Sequence, residues 1–248
     1  MSVDSDGIRI SLIIPAYNEE VLIPLLLDTV DVARKSYSYG AESIEVVVAN
    51  NGSTDRTQEI ASSRGCKVVP VSKRSIAAAR NGGAQAAAGR LLAFVDADTL
   101  IHAETFNAIE RALADDRVMA GATGVRPSRM SPAIAVLVAI SLPFRIAGLD
   151  SGVVFCSKAD WQEVGGFNEE LLISEDIDFQ FALKRLARKR GKHLGRARGA
   201  QAITSTRKFD RQGDWRLIGH MFAIPFLKAF RPRAFDRLVQ KHWYEDRD

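Results

Sequence analysis

The feature that most constrains this chain is an alternation. Over residues 8–114, short apolar runs take turns with segments whose apolar residues recur at helical spacing. The runs at 8–14, 44–49, 66–71 and 91–95 have strand lengths, and Pro15 stops the first. Residues 44–49 are apolar nearly throughout, as in a strand covered on both faces. Val21, Leu22, Leu25, Leu26, Val30 and Ala33 mark a helix over 19–35. Further helices are predicted over 54–63, over 76–88 with Gly89 closing it, and over 103–114. The pattern predicts an α/β fold with a mostly parallel central sheet flanked by helices. Ligands of such sheets bind beyond the carboxyl ends of the strands. Three polar clusters stand there: Tyr17-Asn18-Glu19, Asn50-Asn51-Gly52-Ser53 and Asp96-Ala97-Asp98.

The second half is less regular. It predicts a strand over 118–125, a long apolar helix over 131–149 and a strand over 151–157. A short helix over 158–164 ends at Gly165-Gly166, and a helix over 174–190 has Ser174 as its N-cap. Residues 214–235 are apolar and aromatic with scattered basic side chains.

Composition excludes several classes. With 46% apolar and 26% charged residues, 248 residues build a packed core rather than a disordered chain. A net charge of +4 is too small an excess to imply nucleic-acid binding. The basic residues between Lys184 and Arg211 read as a solvated helix face and basic loop. The sharper reading is a field for a phosphate-bearing ligand or an anionic membrane. Cys66 and Cys156 sit in apolar stretches without a CxxC pattern, and read as buried thiols of a reducing compartment. The polar start gives no secretory signal. No apolar run approaches the ~20 residues of a membrane span. A cytoplasmic protein, or one peripheral at the inner face of the cell membrane, is expected.

Each polar cluster has a chemical and a structural reading. Asp96 and Asp98, at i and i+2 where a buried strand emerges, suit one hard cation shared with a phosphate. They also suit a turn. Glu175, Asp176 and Asp178 suit a general base taking a proton from a hydroxyl, or the first turn of a helix, where the dipole favours carboxylates. Ser53 or Thr54 reads as a helix cap with Asp55 in the first turn. Asn50 and Asn51 point to the same sheet edge, where an amide could hydrogen-bond a base. Gly82 and Gly83 interrupt an Ala-rich helix, which calls for a close backbone approach or a kink. No GxGxxG after a strand, Walker loop or GxSxG elbow is present, and the four histidines lack metal-ligand spacing.

Together, and in order, these pieces resemble the family 2 glycosyltransferases of the GT-A fold. They are Ile13-Ile14-Pro15-Ala16-Tyr17-Asn18-Glu19-Glu20, Val47 through Thr57, Ala79-Arg80-Asn81-Gly82-Gly83, Phe94 through Thr99, Gly165-Gly166-Phe167-Asn168-Glu169 and Glu175-Asp176. The resemblance covers about residues 8–190. It implies an inverting hexosyltransferase-like enzyme that moves a sugar from a nucleotide-diphosphate donor to an acceptor hydroxyl. Pro15, Tyr17 and Glu19 would line the nucleotide pocket, and Asn51 replaces an aspartate that usually contacts the base. Arg80 would lie near the nucleotide. Asp96 would contact ribose or the metal shell, beside Ala97. Asp98 would ligate the metal, Mg2+ or Mn2+. Asp176 would be the catalytic base with Glu175 its neighbour. Arg207 or Lys208 is expected to reach the diphosphate. Arg74-Ser75 departs from the family, which often has glycine before the Arg-Asn motif.

The implied organisation is a GT-A catalytic domain over 1–213 and a C-terminal amphipathic helical appendage over 214–248. The implied acceptor is a glycan of the cell envelope or a lipid-linked molecule. The apolar segments 131–149 and 215–235 are packing elements, or an interfacial surface for peripheral membrane contact. The competing functions are a sugar-phosphate nucleotidyltransferase, which usually has a Gly-rich N-terminal loop lacking here, and a nucleotide-sugar-binding protein without turnover.

Overall fold

The computed structural model of the protein describes residues 7–146, 149–171 and 173–205. The segment 214–248, expected as an appendage, and Arg207 lie outside the described residues.

The predicted alternation forms a parallel half-sheet. Strands β1 (Ile10–Ala16), β2 (Ile44–Asn50), β3 (Lys67–Pro70) and β4 (Leu91–Phe94) run parallel. They alternate with helices α1 (Ile23–Lys35), α2 (Thr57–Ser63) and α3 (Ile76–Ala86). After β4 come the two-residue strand β5 (Thr99–Leu100), α4 (Thr105–Leu113), β6 (Val118–Ala122), β7 (Val125–Pro127) and α5 (Pro132–Ile146). Next are β8 (Val154–Ser157), α6 (Lys158–Glu163), α7 (Glu175–Lys189), β9 (His193–Arg196) and β10 (Ala202–Thr204). The large sheet has the order β3-β2-β1-β4-β8-β6-β9, and a small one the order β5-β10-β7. β8 is antiparallel to both β4 and β6. The chain divides into two compact units, residues 1–126 with 144–204, and residues 127–143 with 205–248. All of the large sheet belongs to the first.

Both faces of the sheet are buried. Ile10, Leu12, Ile14 and Ala16 join one core with Leu26, Val30 and Phe106. Ile13 and Val47, pointing the other way, join a second with Ala77, Ala84, Phe179 and Leu183. This is the two-residue period of a strand feeding two layers of helices. Gly82 and Gly83 supply a close approach of α3 to the sheet. A Cβ at Gly83 would lie 2.6 Å from Ile13 Cγ2, and one at Gly82 2.8 Å from Val71 Cγ2. α3 continues through both glycines.

Several local expectations are corrected. The helix expected from 19 begins at Ile23, because the Glu19 carbonyl takes the Leu22 and Ile23 amides in a turn. α2 begins at Thr57 rather than 54, and neither Ser53 nor Thr54 caps it. Ser53 Oγ accepts from the Asn18 amide instead. Gly89 is not a left-handed cap of α3: a Cβ there would stand 2.6 Å from the Ser11 amide nitrogen. Ser174 precedes α7 with φ 64°, ψ 20° and makes no side-chain cap bond. The strand expected over 118–125 breaks at Gly124 (φ 80°) into β6 and β7.

Of the two thiols, Cys156 is buried and Cys66 half-buried; burial raises Cys66 to about 11 and pushes Cys156 higher still. Among the described residues no helix is long and apolar enough to cross a membrane. In the second unit, α5 exposes Val136, Val138, Ile140 and Leu142.

Candidate functional site

The polar clusters meet at the carboxyl edge of the parallel strands. β1 lies between β2 and β4, so Pro15, Tyr17, Glu19 and Asn51 form one flank and Asp96, Ala97 and Asp98 the other. The β1 and β2 loops are laced together. Asn18, held at φ 51°, accepts from the Thr54 amide through Oδ1 at 2.9 Å. The Glu19 amide donates to Thr57 Oγ1 at 2.8 Å, and the Glu20 amide to Asp55 Oδ2 at 3.0 Å. Burial alone would raise Asp55, yet the Thr57 hydroxyl, the Thr57 amide and the Glu20 amide hold it below its ordinary value.

The two asparagines separate in role. Asn50 is spent on structure: Oδ1 accepts from the Ser53 amide and Nδ2 donates to Gln58. Asn51 donates through Nδ2 to the carbonyls of Val71 (3.1 Å) and Lys73 (2.7 Å). An aspartate has no such donors, so the amide is what ties the end of β2 to the loop before α3. Its Oδ1 is the acceptor left to the site. In that loop the Arg74 guanidinium lies 4.3 Å from the Tyr17 ring centroid and hydrogen-bonds its hydroxyl.

Arg80 organises the other flank. Ser75 Oγ caps α3 by accepting from the Ala78 amide, and α3 carries the buried Arg80 under the sheet edge. Its Nη2 reaches Asp96 Oδ1 and its Nη1 reaches Glu175 Oε1, each at 2.7 Å. The guanidinium lies 5.3 Å from the Phe167 ring centroid. Burial works against its charge, but Asp96, Glu175 and Asp176 raise its pKa and keep it a cation. Burial pushes the Glu175 carboxyl up; Arg80 opposes this and Asp176 adds to it. Glu175 is thus the buried partner of Arg80. Asp176 is more accessible and lines a small cavity of about 50 Å3 with Arg80, Asp96, Ser151 and Gly152. At ~30 Å3 per water, this is the floor of a site, not its whole volume. Phe94, Phe167 and Phe179 pack beneath it, with Phe167 and Phe179 stacked at 4.1 Å.

Asp98 is half-buried and accepts from Thr99 Oγ1 at 3.3 Å. No group of three or more His, Cys, Asp or Glu that could hold a metal exists among the described residues. Two neighbouring carboxylates at an open edge still fit Mg2+ or Mn2+, which take few protein oxygens and complete their shell with phosphate.

Four contributors were given no role in the sequence. Asn81 Nδ2 donates to the Phe167 carbonyl (2.8 Å) and Glu169 Oε1 (2.9 Å), while its Oδ1 accepts from the Phe167 amide (2.8 Å). It pins the Gly166–Glu169 segment to α3. Ser151 and Gly152, from the loop before β8, and the apolar Phe179 of α7 also line the floor.

The sequence profile described as "Glycosyl transferase family 2" matches residues 11–136. Validoxylamine A glucosyltransferase of Streptomyces hygroscopicus subsp. limoneus is 37% identical over 97 residues, covering 37% of this chain and 20% of that protein. Dolichyl-phosphate beta-glucosyltransferase of Drosophila melanogaster is 33% identical over 120 residues, covering 44% of this chain and 37% of the relative. The chain thus spans well under half the length of these relatives. Among solved structures, the mannosyltransferase PcManGT of Pyrobaculum calidifontis, in complex with GDP-Man and Mn2+, superposes with a TM-score of 0.60 at 22% identity, covering 79% of this chain and 56% of that one. S. aureus TarS 1-349 in complex with UDP-GlcNAc gives 0.58 at 22% identity, over 79% and 55%. At these identities the likeness shows the fold, which is GT-A. With half of its length matched by the family profile, the chain belongs to glycosyl transferase family 2.

Proposed function

We propose that the protein moves a sugar from a nucleoside-diphosphate donor to an acceptor hydroxyl with inversion at the anomeric carbon. The observation that carries this reading is Arg80 held at 2.7 Å from both Asp96 and Glu175. One buried cation ties the acidic strand end to the start of the helix bearing Asp176. In the reaction, the acceptor oxygen bonds to the anomeric carbon as the bond to the diphosphate oxygen breaks. Asp176 takes the hydroxyl proton. Glu175 and Arg80 fix the position of Asp176, and Asp96 faces the ribose or the outer shell of the cation. Asp98, with Ala97 setting the spacing, would hold Mg2+ or Mn2+. That ion would offset charge on the departing diphosphate.

On the nucleotide flank Pro15, Tyr17 and Glu19 shape the pocket, with Arg74 leaving the Tyr17 face when a base enters. Asn51 Oδ1 suits a base that presents an N–H, such as uracil or guanine. The complexes of the two structural relatives with UDP-GlcNAc and GDP-Man support the same donor class. Arg207 remains a proposal for the diphosphate. The exposed apolar residues of α5 support a lipid-linked acceptor or membrane-surface contact; flotation with anionic vesicles tests this, and no binding would remove it.

A thermal-shift series with UDP, GDP, ADP and CDP, each with Mn2+ or Mg2+, tests donor binding. A ligand of the folded state raises its melting temperature. UDP or GDP should do so with metal and not with EDTA; no shift with any of the four would count against the proposal.

A further inference from the structure

A second, larger cavity of about 700 Å3 lies in the same unit, and the mechanism does not use it. Arg126, Arg196, Arg198, His102 and Gln201 supply its polar lining, and among the described residues no carboxylate lines it. Its construction is specific. β6 and β9 pair with Ala122 opposite Arg196, which places Arg196 at the carboxyl edge of the sheet. Gly124, at φ 80°, gives the Arg196 side chain its room: a Cβ there would stand 2.2 Å from an Arg196 guanidinium nitrogen. Arg196 Nε is 3.3 Å from Asp150 Oδ2, and Arg145 shares the same carboxylate at 3.6 Å. One carboxylate between two guanidiniums leaves net positive charge. Arg126 and Arg198 are exposed and make no ion pair among the described residues. His102 Nδ1 accepts from the Glu104 amide, so a neutral His102 carries its proton on Nε2 and is a donor there. The described lining is rich in donors and holds no acidic side chain. Guanidinium forks match phosphate oxygens in pairs.

The cavity is close to the transfer site by two separate chain connections. Ile101, in its lining, is three residues beyond Asp98, and three residues reach at most ~11 Å. Asp150, the partner of Arg196, directly precedes Ser151 and Gly152, which line the Arg80 pocket. The Asp150 amide is also tied to Gln180 on α7, the helix that begins with Glu175.

We propose that this cavity is an anion site that seats a phosphate group of the acceptor. The assignment to the acceptor rests on the glycosyl-transfer reading; the anion site itself does not. The phosphate has two sources, a soluble phosphate ester or a lipid headgroup.

The test uses the full chain in EDTA, so that a metal-dependent diphosphate site is silent. Glycerol 3-phosphate is titrated calorimetrically, and vesicles of phosphatidylcholine with or without phosphatidic acid are tested by co-flotation. Arg126→Gln/Arg198→Gln is compared with Arg111→Gln/Arg117→Gln, which removes equal charge from exposed positions outside the cavity. Saturable binding of at least one phosphate probe is expected, weakened roughly tenfold or more by the first pair and unchanged by the second. Binding of glycerol 3-phosphate identifies a soluble ester; binding only of vesicles with phosphatidic acid identifies a headgroup. If neither probe binds the wild type, or if both variant pairs weaken it alike, the site is refuted. UDP binding with Mn2+, measured in parallel, should be equal in wild type and Arg126→Gln/Arg198→Gln. Failure of UDP to bind the wild type would remove the donor reading and leave the phosphate result standing.

Discussion

Arg80 decides more of the site than any other residue. It is buried and pairs with two carboxylates, buried Glu175 and exposed Asp96, and its pairing with Glu175 spans 95 positions of sequence. Removing one partner of a buried pair leaves an uncompensated charge, which typically costs about 3–5 kcal/mol. Arg80→Met should therefore lower unfolding free energy by roughly this amount, read by urea denaturation. Arg80→Met/Glu175→Gln should recover part of the loss, because the stranded carboxylate is gone. Equal stability of the single and double variants would show that Glu175 is not the residue left unpaired. Asp55 gives a pH prediction. Its folded pKa is lowered from 3.8, so its stabilisation is present above that value and fades as pH falls through the folded pKa. Asp55→Asn should be less stable than wild type at neutral pH, and the gap should narrow below pH 3.8. A gap that stays constant down to pH 2 would contradict the three hydrogen bonds as its source.

At the scale of elements, α3 is set by its glycines. Helix propensity alone favours Gly83→Ala by about 1 kcal/mol. Contact with Ile13 at 2.6 Å opposes it, and overpacking of this kind typically costs about 1–3 kcal/mol. The variant should come out neutral to destabilised, and a clear gain in melting temperature would mean that α3 does not need its close seat. The parallel strands and their polar ends were legible in sequence because a strand buried on both faces must be apolar throughout, and it turns polar only where it leaves the sheet. Tyr17 and Asp96 mark such exits; Pro15, expected to stop the first strand, lies inside β1 opposite Ala49. Less was legible where one residue had two uses. Ser53 and Ser174 have capping side chains, but Ser53 is drawn to Asn18 and Ser174 adopts a left-handed backbone. Gly89 stands where a helix cap belongs and instead makes room for Ser11. The antiparallel entry of β8 had no sequence mark, since its four residues read alike in either direction. Asn81 was quoted only as the neighbour of Arg80, while its three hydrogen bonds to Phe167 and Glu169 depend on a loop 86 and 88 residues away.

For the molecule as a whole, two units are described, and every residue of the proposed transfer chemistry within the described range lies in the first. The residues proposed for donor, cation and base therefore share one unit, built on the parallel strands with α3 and α7 packed against them. The central claim is that Asp98 and Asp176 act at this edge on a nucleotide sugar. Release of nucleoside diphosphate from a panel of UDP- and GDP-sugars in Mn2+, with and without added acceptor, measures it directly. The wild type should turn over one of them and lose that activity in EDTA. Asp176→Asn should slow it by roughly 100-fold or more, the usual share of a general base, and Asp98→Ala should do so by removing the cation's ligand. Asp98→Ala and Asp176→Asn both turning over at the wild-type rate would contradict the account.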